Sequence, residues 1–214
     1  MDFVADYIKA ASSLSAVSEQ RKKEKTYIAA GHTSNLDIVV KWDAVLINRL
    51  AAQYLTGDRD YLGVIPPYID SEEELIWAIV ARAHAGTGGE IEIHNEAICD
   101  YIVKTFPHKF ALGGTGIQAA AALAAVDIPV AVHLTDSSKE VLKLILDDDI
   151  FVAGDTLISS DKVPEENITQ ATPHYVFQFV KGDKLCVGDK TFEVPRSNRL
   201  IVTYDMVNQE LPLS

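Results

Sequence analysis

The chain has 214 residues, enough for one sizeable α/β domain, or a core with a small appended sheet, around a substantial apolar centre. Hydrophobic residues make up 48% and charged residues 23%, which excludes a disordered or low-complexity chain. The formal net charge of −12 excludes a binder of nucleic acid or anionic membrane through the average field, while leaving room for a local basic pocket for phosphate.

Residues 2–17 set Phe3, Val4, Tyr7, Ile8 and Ala11 at helical spacing, and the RKKEK that follows reads as a solvated helix end. A basic run after the apolar part is the reverse of a secretory signal, and no stretch reaches the length of a membrane span, so a cytoplasmic protein is expected. TYIAAGH (26–32) predicts a short buried strand, the first of a sheet, stopped by glycine. In GHTSNLD (31–37), Asn35 and Asp37 fall just past that strand's end, where ligands sit in open α/β sheets. An amide and a carboxylate two residues apart can bond neighbouring sugar hydroxyls. The same spacing also fits an Asx turn or a helix N-cap.

KWDAVLINRLAAQYL (41–55) repeats apolar residues at three and four until TGDRD breaks it. PPYIDSEEELIWAIVARAHAG (66–86) is a second amphipathic helix, with Ser71 as its cap and Glu74 three residues later. GEIEIH (89–94) alternates like a half-exposed strand, which makes it a candidate lid element. Glu90 and Glu92 share one face of it, either to reach into a cleft or to stay solvated. NEAICDYIVKTF (95–106) returns to the helical period.

KFALGGTGIQAAAALAAVDIPVAVHLT (109–135) reads as strand, glycine turn, alanine-rich helix, proline-marked turn and strand, the pattern of parallel α/β layers. The glycines stand where the backbone turns tightly or approaches a ligand; their G-G-x-G spacing departs from the dinucleotide G-x-G-x-x-G. SSKEVLKLIL (137–146) is a short helix, and from DDDIFVAG onward strands and turns follow, with Gly182 and Gly188 as turn formers. VPRSNRLI (194–201) sets Arg196 and Arg199 beside a strand; a guanidinium fork suits phosphate, though most arginines are simply solvated. Cys99 and Cys186, with no C-x-x-C spacing, read as two buried thiols.

Taken in order, the blocks GHTSNLD, GTGGEIEI, LGGTGIQAAAALAAVDIPVAVH, HYVFQF followed by KGDK, and VPRSNRLIV resemble those of ADP-dependent glucokinases and phosphofructokinases of the ribokinase-like superfamily, over roughly residues 26–205. HYVFQF paired with PRSNR is peculiar to the ADP-dependent branch. The resemblance implies an α/β fold: a partial three-layer ribokinase-like sheet with helices on both faces and a small β lid. It implies one incomplete domain, 1–214, with lid segments at about 56–70, 86–94 and 165–200. By position, Asn35, Asp37 and Glu90 match residues that bind sugar hydroxyls; Gly113, Gly114 and Gln118 match the turn lining the sugar site; Arg199 matches an arginine that approaches phosphate. Gln178 departs from the family, which usually has glutamate in H-x-x-F-E-F.

The family's magnesium-coordinating N-x-x-E and catalytic G-x-G-D are expected beyond residue 214, so no catalytic residue and no metal ligand is assigned within the chain. V-A-G-D-T (152–156) resembles the end of a ribokinase catalytic motif, but TLISSDKVPEEN after it carries no glycine-opened helix, and Asp155 is not read as the base. The function implied is the sugar- or sugar-phosphate-binding part of an ADP-dependent sugar kinase; the alternative is a non-catalytic sugar-binding or regulatory module. Mg2+ and ADP are expected for the complete enzyme and neither for this chain alone. The partners implied are a small sugar or sugar phosphate and, through a truncated sheet edge, a second copy of the chain, with no nucleic acid and no membrane.

Overall fold

The computed structural model describes residues 3–31 and 33–204, so His32 of the GHTSNLD block lies outside the described residues. In chain order the elements begin with α1 (Phe3–Glu24), β1 (Ile28–Ala30), β2 (Asn35–Val40), α2 (Ala44–Tyr54), α3 (Glu72–Ala85), β3 (Gly89–Glu92) and α4 (Ala97–Thr105). They continue with β4 (His108–Gly113), α5 (Thr115–Ala124), β5 (Val130–Val132), α6 (Lys139–Leu144), β6 (Ile150–Ala153) and β7 (Leu157–Ser159). The last four strands are β8 (Pro173–Phe179), β9 (Lys184–Val187), β10 (Lys190–Glu193) and β11 (Asn198–Thr203). This is a mixed α/β protein with several sheets. No helix among the described residues is long and apolar enough to cross a membrane.

The described residues divide into two compact units, one built from 3–36 and 112–172, the other from 37–111 and 173–204. Of the lid segments expected from the sequence, 56–70, 86–94 and 173–200 fall in the second unit and 165–172 in the first.

The first unit is built on a sheet of order β1-β5-β6-β7, parallel from β1 to β6 and closed by antiparallel β7. Ile117, Ala120 and Ala124 of α5 pack with Val130, Val132, Leu142, Ile145, Ile150 and Val152 into one apolar cluster. The alanine run lets α5 lie close to the strands, since each alanine adds a single methyl to the contact. Because β1 is an edge strand, its Ile28 and Ala30 are half-buried and Ala29 is exposed, where the composition of TYIAAGH suggests a buried strand. α1 runs through the basic segment to Glu24 and carries Phe3, Val4, Tyr7 and Ile8 exposed at 64–75%. Its far end is tied down by Ser18, which donates to the Asp127 carbonyl, and by Lys22 on Asp149 at 2.7 Å.

The second unit holds a five-stranded sheet of order β3-β11-β8-β2-β4, with the first residues of β2 and the last of β4 reaching into the first unit. α3 begins with a reciprocal cap: the Glu74 amide donates to Ser71 Oγ at 3.2 Å, and Glu74 Oε2 accepts from the Asp70 amide at 2.8 Å. It ends at Gly86 in the left-handed region, φ 63°, and its residues from Leu75 to Ala81 are all buried. Asp43 caps α2 by accepting from the Val45 and Leu46 amides. β9 and β10 form the hairpin that turns at Gly188. Cys99 is buried as expected, but Cys186 is exposed: β9 turns Leu185 and Val187 inward, so the residue between them faces out.

Candidate functional site

Strand alternation fixes two faces of the five-stranded sheet. Leu36, Ile38 and Val40 of β2, Tyr175, Phe177 and Phe179 of β8, Leu200 and Val202 of β11, and Ile91 of β3 are all buried. The residues between them belong to the other face. There Glu90 stands in register with Ile201 and Val176, Glu92 with Thr203 and His174, and Arg199 with Gln178. Asp37 and Val39, alternating with the buried residues of β2, are half-buried on this same face. Glu90, Gln178 and Arg199 are exposed, whereas Val176 and Thr203 are buried.

Three of the residues singled out from the sequence, Asp37, Glu90 and Arg199, therefore share one sheet face. Asp37 and Glu90 lie on strands separated by two others, about 14 Å apart at the usual strand spacing. Arg199 lies on the strand next to Glu90, one row along. Two carboxylates able to accept from hydroxyls and one guanidinium able to donate in a fork give this face both polarities. Asn35 and Asp37 are neither an Asx turn nor a cap: both lie in β2, because the NLDIVV alternation is long enough to form its own strand.

The remaining predicted residues gather in the first unit. Gly114 caps α5 with φ 97°, and a Cβ there would overlap the Thr33 carbonyl, with Thr33 C at 2.7 Å and Ser34 Cα at 2.9 Å. A Cβ on Gly116 would stand 2.9 Å from Gly31 Cα. Only glycine allows this turn to sit against the segment leading into Asn35. Gln118 folds back so that its Nε2 donates to the Leu112 carbonyl, bracing the Gly113–Gly114 turn.

Sequence reasoning missed how this segment is held. Ser34 is completely buried: its amide donates to Thr135 Oγ1 at 2.9 Å, Thr135 Oγ1 donates to the Ser34 carbonyl at 2.9 Å, and Ser34 Oγ accepts from the Asp136 amide at 2.9 Å. The buried Asp136 carboxylate accepts from the Ser138 amide at 2.9 Å, the Thr172 amide at 2.8 Å and Thr172 Oγ1 at 3.0 Å. Leu36 N donates to the Thr172 carbonyl at 3.2 Å. Every member of this network finds a partner, as a buried polar cluster must to be stable, and it fixes the backbone on which Asn35, itself 4% exposed, is carried. Ser34 and Thr172 are ordinary in type; only their joint burial marks them.

At the end of the sheet face nearest Arg199, a groove of about 790 Å³ opens in the second unit, lined among others by Val39, Lys41, Trp42, His108, Lys109, Gln178 and Arg199. Among the described residues no group of three or more His, Cys, Asp or Glu side chains is placed to hold a metal ion.

A family model described as the ADP-specific phosphofructokinase/glucokinase conserved region matches residues 26–214. The ADP-dependent glucose/glucosamine kinase of Pyrococcus furiosus is 25% identical over 193 residues, covering 86% of this chain and 41% of the relative. The chain thus spans about two fifths of the length of that relative. The solved structure of a hypothetical ADP-dependent phosphofructokinase from Pyrococcus horikoshii OT3 superposes with a TM-score of 0.65 at 22% identity, over 85% of this chain and 42% of that one. An ADP-dependent kinase in complex with fructose-6-phosphate and ADPβS gives 0.64 at 17% identity, over 92% of this chain and 39% of that one. These structural likenesses carry the fold.

Proposed function

The chain belongs to the ADP-specific phosphofructokinase/glucokinase family, and we propose that it is the sugar- or sugar-phosphate-binding part of an ADP-dependent sugar kinase. In the complete enzyme it would serve phosphoryl transfer to glucose or fructose 6-phosphate, with ADP as donor and Mg2+. Asn35, Asp37 and Glu90 bind sugar hydroxyls, the backbone of Gly113 and Gly114 and the Gln118 amide line the sugar, and Arg199 meets phosphate. The observation that supports this most is the shared sheet face of Asp37, Glu90 and Arg199. Carboxylates for hydroxyls and a guanidinium for phosphate are the groups that a sugar phosphate requires. The kinases named above, one acting on glucose or glucosamine and one holding fructose-6-phosphate, supply the candidate sugars.

A second reading is a sugar-binding or regulatory module without catalysis of its own, with which the exposed turn position of Asp155, the carboxylate weighed as a base, is compatible. Both readings require sugar binding, which calorimetry of the 214-residue chain with glucose and with fructose 6-phosphate tests. Millimolar binding of at least one is expected, weakened about tenfold or more by Asp37→Ala, because a hydrogen bond to a charged group contributes about 1.5–3 kcal/mol. Binding indifferent to Asp37→Ala removes the site assignment.

A further inference from the structure

The groove beside Arg199 is cationic in an acidic chain. Lys41, Lys109 and Arg199 line it, no carboxylate does, and the whole sequence carries a net charge of −12. Among the described residues, none of the ion pairs involves any of the three, although each is exposed and the chain has 31 acidic residues against 19 basic ones. Three like charges lining one concavity repel one another, an arrangement that an anionic ligand relieves. Asp37 and Val39 alternate along β2, and Lys41 follows directly on its end, its amide donating to the Pro107 carbonyl at 2.7 Å at the edge of the groove. Val39, Val180 and Trp42 add apolar surface between the charges, and a volume of about 790 Å³ suits a small molecule.

We propose that this groove is a binding site for the phosphate group of a small phosphorylated ligand, with Lys41 and Lys109 as anion-binding residues alongside Arg199. The part played by Arg199 rests on the function proposed above; Lys41 and Lys109 are assigned by the groove alone. Arg199 supplies a planar fork for two phosphate oxygens, and the two ammonium groups add point charges that hold the remaining ones. The phosphate is carried either by a sugar or by a nucleotide, both of which offer a flat or apolar part for the surface between the charges.

The test titrates the 214-residue chain at low ionic strength with fructose 6-phosphate, AMP and their unphosphorylated counterparts, fructose and adenosine. At least one phosphorylated probe should bind tenfold or more tightly than its counterpart, and weaken steeply with added salt. The double variant Lys41→Gln/Lys109→Gln should lose about tenfold or more of that affinity, with an unchanged circular dichroism spectrum because both side chains are exposed. Tighter binding of fructose 6-phosphate assigns the site to sugar phosphates; tighter binding of AMP assigns it to nucleotides. Phosphate-dependent affinity that survives Asp37→Ala separates this site from the sugar-hydroxyl reading. Equal affinities for phosphorylated and unphosphorylated probes, or a double variant that binds like the parent, overturn the proposal.

Discussion

Cys99 and Cys186 have the same side chain and opposite chemistry, and the difference comes from position alone. Burial on α4 pushes the Cys99 thiol up, against a hydrogen bond with Tyr175 that pulls the other way. The same burial raises the Tyr175 phenol, and on α4 that of Tyr101. Since the thiolate is the reactive form, a thiol reagent near neutral pH is expected to label Cys186 alone in the native chain and Cys99 only under denaturant, read by mass spectrometry of the labelled peptides. Rapid native labelling of Cys99 would contradict its burial. The sign of the pH dependence follows from the same shifts. Groups whose folded pKa values are raised contribute stability that is complete below their unfolded values, about 8.5 for a thiol and 10 for a phenol. That stability is lost as pH rises through the folded values, so the urea midpoint should fall above about pH 9–10.

At the scale of elements, the start of α3 is a reciprocal cap whose contribution can be isolated. Ser71→Ala removes the acceptor of the Glu74 amide and should cost about 1 kcal/mol, read as a lower urea midpoint at an unchanged slope. No loss would mean that water replaces the hydroxyl without penalty. This cap was legible in S-E-E-E because its signal is local. So was the exposed character of β3, since GEIEIH alternates strictly, and so were the hairpin at Gly188 and the glycine turn before α5. The edge position of β1 was not, because a three-residue apolar run reads alike at an edge and in the middle of a sheet. Nor was the strand that holds Asn35 and Asp37: glycine and serine before it suggested a turn, whereas pairing with β8 and β4 settled it. Lys41, one residue past the end of β2, and Lys109, early in β4, meet at the groove only through the tertiary fold, which no local pattern announces.

For the whole molecule, what the sequence could not show is long-range. β3 pairs in parallel with β11, about a hundred residues later in the chain, and the second unit is assembled from two separate stretches of the described residues, 37–111 and 173–204. Glu90 and Arg199 come onto one face only through that pairing; no local pattern carries it. Phosphoryl transfer is accelerated almost wholly by positioning and charge stabilisation, through a metal ion, donors around the transferring group and a carboxylate that takes the hydroxyl proton. The tempting Asp155 is an exposed residue in the turn between β6 and β7. We predict that the 214-residue chain, with Mg2+ and either ADP or ATP, phosphorylates neither glucose nor fructose 6-phosphate above the no-protein rate, even under conditions where calorimetry detects a bound sugar. A coupled assay for sugar phosphate checks this. Turnover that Asp155→Asn abolishes would show that the V-A-G-D turn carries a base after all, whereas turnover indifferent to Asp155 would direct the search to a carboxylate elsewhere in the chain.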